Sequence, residues 1–223
     1  MGLPLREGKT DEMSASAAGH IEHHGPTESH DELYGHASLG KVAMWIFLLS
    51  DALSFSGLLL AYGILRGGSD TWIHKGEPIL GINFTAGLTF LLICSSVTMV
   101  LAHAEAVEGN RKGILKYLGL TILGGALFLC GQYQEWFGIW HAGLTQEGLV
   151  FGQSHYASTF YVVTGFHGCH VLTGVIYLSI IWIRTAMGKY DGGNHNHIEI
   201  AGLFWHFVDL VWILVFTFLY LIP

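Results

Sequence analysis

Gly165-Phe166-His167-Gly168-Cys169-His170-Val171 and Trp205-His206-Phe207-Val208-Asp209 lie inside two runs apolar enough to cross a membrane. A charged side chain at bilayer depth costs at least about 2.5 kcal/mol on insertion scales, so each of these His and Asp residues must face a partner, a cavity or a proton path. The composition around them agrees: 51% of the 223 residues are hydrophobic, 12% are charged, and the mean hydropathy is +0.46. That balance excludes an ordinary soluble domain and indicates an integral membrane protein.

Working outward, stretches long enough to cross about 30 Å of hydrocarbon, which takes about 20 helical residues, fall at about 42–65, 80–102, 114–134, 156–185 and 198–222. Polar connections separate them at 66–79, 103–113, 135–155 and 186–197, carrying turn-forming runs such as Gly67-Gly68-Ser69-Asp70 and Gly192-Gly193-Asn194. The fold class expected is all-α, an integral membrane bundle of five transmembrane helices spanning 41–223 and preceded by a polar tail over 1–40. Gly124 and Gly125 in the third span, with Gly165, Gly168 and Gly174 in the fourth, are small residues that let helices approach closely.

Residues 1–36 hold Glu7, Asp11, Glu12, Glu22, Glu28, Asp31 and Glu32 against Arg6 and Lys9, so most of the net charge of −7 sits in the tail. Its His20, His23, His24, His30 and His36 follow no metal-binding spacing, and a disordered cytoplasmic segment is expected. No apolar core precedes a small-residue cleavage site, so no cleavable signal is expected and the first span does the targeting. Lys41, Arg111, Lys112, Lys116, Arg184 and Lys189 lie on the side of the N-terminus, with only Arg66 and Lys75 opposite. The excess predicts a cytoplasmic N-terminus and a periplasmic C-terminus. Cys94, Cys130 and Cys169 show no paired spacing and are expected to be small buried hydrophobes.

At 1.5 Å per residue, Asp51 lies about 15 Å and Asp209 about 17 Å from the inner ends of their spans. His206 is one turn from Asp209, and His167 and His170 form a second i, i+3 pair at about 17 to 21 Å from the outer end of theirs. Asp51, His167, His170, His206 and Asp209 therefore form a polar belt near the bilayer midplane. Three readings fit it: a metal or haem site, a proton relay, or structural hydrogen bonds between helices. The spacing alone leaves all three open. Two further clusters, His103, Glu105, Glu108, Arg111 and Lys112 on the inner side and Glu135 beside Gln134, Trp136 and Trp140 on the outer, are expected to be interfacial anchors.

These residues also carry a resemblance. The Gly165–Val171 motif followed by Gly174 resembles a helix motif of subunit III of the haem–copper terminal oxidases, and Trp205-His206-Phe207-Val208-Asp209-Leu210-Val211-Trp212 is similar to that family's final helix. Ala102-His103 with Glu108-Gly109-Asn110-Arg111-Lys112 resembles its inner loop, and Glu135 matches an acid at the end of the following helix. The similarity runs from about Lys41 to Pro223. It departs from the seven-helix mitochondrial type in having only the last five helices, as some bacterial members do, so a whole lipid cleft does not carry over. Ser50-Asp51 stands where cytochrome c oxidases usually have Ser-Glu and the ubiquinol-oxidizing branch often Ser-Asp.

The resemblance implies a non-catalytic subunit of a bacterial inner-membrane cytochrome c oxidase, which reduces oxygen to water and pumps protons. It would hold no redox centre, with the haems and copper in partner subunits. It would pack on subunit I, lie in a complex with subunit II and a possible larger respiratory supercomplex, bind phospholipid, sustain proton uptake and protect turnover. His103, Glu105, Glu108, Arg111, Lys112, Glu135 and Trp205 would be its lipid or interfacial contacts. No catalytic residue, metal ligand or nucleic-acid partner is expected in the chain. Rival readings are subunit III of a ubiquinol oxidase, the accessory subunit of a nitric oxide reductase and, from another class, a small proton or ion transporter. A transporter would need polar residues along the full depth of the bundle, where Leu, Ile, Phe and Val prevail.

Overall fold

A computed structural model describes residues 39–70, 72, 80–138, 142–188 and 196–222. Within them lie five helices, each long and apolar enough to cross a membrane: α1 (Leu39–Gly67), α2 (Ile82–Val107), α3 (Arg111–Phe137), α4 (His155–Ala186) and α5 (Asn196–Phe216). The last continues into a π-helical turn, Thr217–Leu221, and no strand occurs among the described residues. The expected tail lies outside the described residues apart from the start of α1, as do Lys75, Trp140 and Lys189.

The helices outrun the expected spans because the hydrocarbon layer limits apolar length and not helix length. The difference is largest on the inner side. There α2 runs to Val107 and α3 starts at Arg111, so the connection expected over 103–113 shrinks to a tight turn. Asn110 caps α3, its side chain accepting from Gly113 N–H at 3.4 Å, and Gly109 supplies a φ of 72° that few other residues adopt. On the outer side Gly138, with φ 66°, ends α3, and Ser154 caps α4 by accepting from Ala157 N–H at 3.0 Å.

Helices α2, α3, α4 and α5 form a ring, α2 packing on α3 and α5 and α4 on the same two. Large side chains fill its centre, Trp205, Trp212, Phe128, Phe160 and Tyr156 among them. The glycines make room for them. A Cβ on Gly125 would stand 2.5 Å from the Trp205 ring and 2.7 Å from Val175, one on Gly174 would stand 2.9 Å from Trp205, and one on Gly124 would stand 2.7 Å from Ser95. Gly168 differs from expectation, since nothing lies within 4 Å of the position its Cβ would take. The cysteines also differ. Cys94, Cys130 and Cys169 are exposed on outward helix faces, because an apolar run in a membrane has lipid on one side and only part of it turns inward.

α1 stands apart from the ring. Only 17% of its apolar stretch is buried, against 50% of α5, and its outward face is a row of large apolar residues including Trp45, Leu49, Leu53, Leu60 and Ile64. It reaches the others chiefly through side chains: Phe47 to the Phe204 ring at 6.2 Å, and Phe55 to the Phe166 ring at 4.9 Å and the His170 ring at 5.2 Å.

Candidate functional site: the polar belt and the outer carboxyl hub

The belt separates into two groups and one lone histidine. Between α1 and α4, His170 Nε2 lies 3.1 Å from Asp51 Oδ1, while His170 Nδ1 lies 2.7 Å from the Phe166 carbonyl oxygen one turn earlier. Between α2 and α5, the hydroxyl of Ser96 meets His206 Nδ1 at 2.6 Å, and Asp209, one turn further along α5, keeps Oδ1 buried without a partner. Ser96 therefore ties α2 to α5 through His206. His103 lies close enough to His206 to act on it electrostatically. His167 belongs to neither group. Completely buried, it donates from Nε2 to the Val208 carbonyl oxygen at 3.1 Å and packs against Phe128 and Trp212.

Each belt histidine thus has a hydrogen-bond partner from this chain. A carbonyl oxygen accepts only, so His167 donates from Nε2 and His170 from Nδ1, while Nδ1 of His167 is buried without a partner. Among the described residues no group of three or more His, Cys, Asp or Glu is placed to hold a metal ion.

The outer end of α3 holds a second buried polar site, which sequence reasoning took for an interfacial anchor. Glu135 is 9% exposed and accepts from three donors: Thr85 Oγ1 of α2 at 2.7 Å on Oε1, and Gln132 Nε2 and Tyr220 Oη, each at 2.9 Å, on Oε2. Its own carbonyl accepts from Leu144 N–H, at 2.9 Å, in the connection to α4. Tyr220 sits in the π-helical turn, whose wider winding ends the last helix beside this carboxyl. The carboxyl also lines an outer cavity of about 380 Å³ together with Gly81, Phe84, Gln134, Ala142, Leu144 and Glu147.

Trp205 likewise differs from the expected lipid contact. Its side chain is 1% exposed and donates from Nε1 to Ser95 Oγ at 3.2 Å. On the inner side, Glu105 accepts from Asn110 Nδ2 at 2.6 Å and lies over Gly113, where it occupies the space a side chain would need. Arg111 donates to the Ala186 carbonyl at the end of α4, which ties the α2–α3 turn to α4. Glu105 and Arg111 therefore make defined protein contacts, whereas Glu108 and Lys112 face the surface.

Ser95, Ser96, Thr85, Thr89, Gln132 and Tyr220 are polar partners that the sequence reading passed over. For Thr85, Thr89, Ser95 and Ser96 the signal was the row of hydroxyls along one apolar span, since Ser and Thr in membrane helices hydrogen-bond across interfaces. Thr89 accepts from Trp212 Nε1 at 2.9 Å in the same manner.

The comparisons with known proteins concern this whole membrane region. The sequence model of the family described as Cytochrome c oxidase subunit III matches residues 35–222. A cytochrome c oxidase subunit 3 from Synechocystis sp. is 36% identical over 198 residues, covering 88% of this chain and 81% of that protein. One from Thermostichus vulcanus is 32% identical, covering 92% of this chain and 98% of that protein. A cytochrome bo(3) ubiquinol oxidase subunit 3 from Pseudomonas putida is also 32% identical, covering 81% and 84%. The two helical motifs, the five spans and a matched region from residue 35 to residue 222 converge: the chain belongs to the cytochrome c oxidase subunit III family.

Proposed function

We propose that the chain is the non-catalytic third subunit of an aerobic haem–copper oxidase of the bacterial inner membrane, packing directly on subunit I in a complex with subunit II and binding phospholipid. Its part is to sustain proton uptake and the lifetime of the enzyme during turnover, while haems and copper reside in its partners. The observation that carries this reading is the engagement of the belt histidines: His167, His170 and His206 are each held by hydrogen bonds within the bundle. Such groups stabilise an interface between helices.

The electron donor has two supported readings. Cytochrome c fits the family description and the relatives from Synechocystis and Thermostichus, whereas the Pseudomonas relative belongs to a ubiquinol oxidase, and Ser50-Asp51 is shared with that branch by resemblance. Cytochrome c is favoured. Purifying the native complex through this chain and recording its spectrum tests the assignment. Haem–copper absorbance with a subunit II copper centre is expected; haem without that centre would move the chain to the quinol branch, and a complex with no haem would overturn the reading.

The orientation proposed is N-terminus inside and C-terminus outside, supported by Lys41, Arg111, Lys112, Lys116 and Arg184 at the ends that face the N-terminal side. A reporter enzyme that works only in the periplasm should be active when fused after Pro223. Activity of a cytoplasm-only reporter at that position would reverse the orientation.

A further inference from the structure

α1 is joined to the rest of the bundle by polar contacts at three depths. At its start Lys41 Nζ meets Glu199 Oε2 at 2.7 Å, and near its end Arg66 and Tyr62 donate to the Ile222 carbonyl at 2.6 and 3.4 Å. Between them, within the apolar layer, stands the Asp51–His170 contact.

The hydrogen inventory of that contact follows from its partners. The Phe166 carbonyl can only accept, so Nδ1 of His170 carries a hydrogen. With no further hydrogen, a bare Nε2 would oppose a carboxylate oxygen at 3.1 Å, lone pair against lone pair. With two, the second would sit on Asp51 Oδ2, a buried atom with no partner to accept from it. One hydrogen between Nε2 and Oδ1 satisfies both atoms, and the pair is then neutral overall whichever atom holds it. Neutrality is what the apolar layer demands of a buried ionisable pair.

We propose that Asp51 and His170 share a single proton, and that this neutral pair is the clasp that fixes α1 to α4 within the membrane. His170 also lines an apolar groove of about 280 Å³ between α1, α4 and α5, with Met44, Phe47, Thr173, Tyr177 and Phe204 along it. The clasp therefore sets the separation of the groove's walls, one of which is α1, the least buried helix.

The test uses the intact oxidase complex with Phe47→Cys on α1 and Thr173→Cys on α4, two positions that face the same groove, and reads the yield of the disulfide formed between them by a membrane-permeant oxidant. Asp51→Leu should lower that yield about three- to tenfold, the range of factors that one interhelical hydrogen bond in a bilayer supplies. Asp51→Asn should keep it near the parent value, since an amide N–H can donate to Nε2 in place of the shared hydrogen. Parent-level yield with Asp51→Leu would show that the pair does not hold α1. Loss of yield with Asp51→Asn as well as Asp51→Leu would show that the carboxyl's charge is required, and would overturn the single-proton account. Should the Leu variant fail to assemble, the Asn variant decides alone: assembly with parent-level yield supports the clasp, and failure or loss of yield overturns it.

Discussion

An oxidase assembled without this chain should begin oxygen reduction at close to its normal rate and then lose activity progressively, with the haem–copper spectrum of its catalytic subunit unchanged. The expectation rests on where the chain's chemistry lies. Its mid-membrane histidines are held within the bundle, His167 by Val208, His170 by Asp51 and His206 by Ser96, and the proposed function places the haems and copper in partner subunits, so no redox centre should lose a ligand when the chain is removed. Under the proposed function, what is lost is the bundle's apolar surface beside subunit I, with the lipid it would hold and the proton entry it would steady. Those losses matter most while a reduced active site waits for protons, so they accumulate with turnover. We expect the inactivation rate constant to rise about tenfold, which requires only about 1.4 kcal/mol of protection from the chain. Time courses of oxygen consumption on depleted and reconstituted enzyme measure it. Immediate loss of the spectrum would make the chain part of the catalytic core, and an unchanged lifetime would remove the protective role.

The five spans were legible because a membrane imposes a length: about 20 apolar residues stand out of any polar background. Helix ends were less so. Val107 and Arg111 border a tight turn that holds Glu108, a sequence polar enough to look like an extended loop, and the deciding feature is the Asn110 cap with Gly109 in a left-handed conformation. The depth of the belt followed from counting residues, but its partners depend on how each helix is rotated about its axis. That rotation is fixed by packing, chiefly by Trp205 entering the space that Gly125 and Gly174 leave open. Ser96 could not be matched to His206 before that geometry was known.

Trp205 was a lipid or interfacial contact only by resemblance, yet in this bundle it is the wedge at the centre. The cysteines were misplaced in the other direction, since periodicity tells which residues share a face and not which face meets lipid. Glu135 was the hardest to read. An acid at a helix end beside Trp136 looks like an anchor, and its buried state depends on Tyr220, which arrives through a π-helical turn that has no sequence signature of its own.

Glu135→Ala should be the most damaging single substitution of a polar residue in this chain. It would leave the Tyr220 hydroxyl, the Gln132 amide and the Thr85 hydroxyl without their shared acceptor in a buried site. Leaving one such group unsatisfied costs about 1–3 kcal/mol, and three together, with some relaxation, should cost on the order of 3 kcal/mol or more. Thr85 can recover by turning to the Gly81 carbonyl 3.2 Å away, but Tyr220 is 1% exposed and has no such recourse. Damage should spread from there, because the turn that carries Tyr220 leads directly into Ile222, whose carbonyl holds Tyr62 and Arg66 of α1. Glu135→Gln is the informative control. Its carbonyl oxygen can still accept from Tyr220 and its amide can donate to Thr85 once that hydroxyl turns to Gly81, so most of the loss, all but about 1 kcal/mol, should be recovered. Thermal dissociation of the purified complex and protease cleavage at its C-terminus give the two readouts, with Ala weakening both and Gln lying close to the parent. An alanine variant as resistant as the parent would show that the carboxyl is not the hub, and equal damage from Gln would show that its charge, rather than its accepting geometry, holds the outer end together.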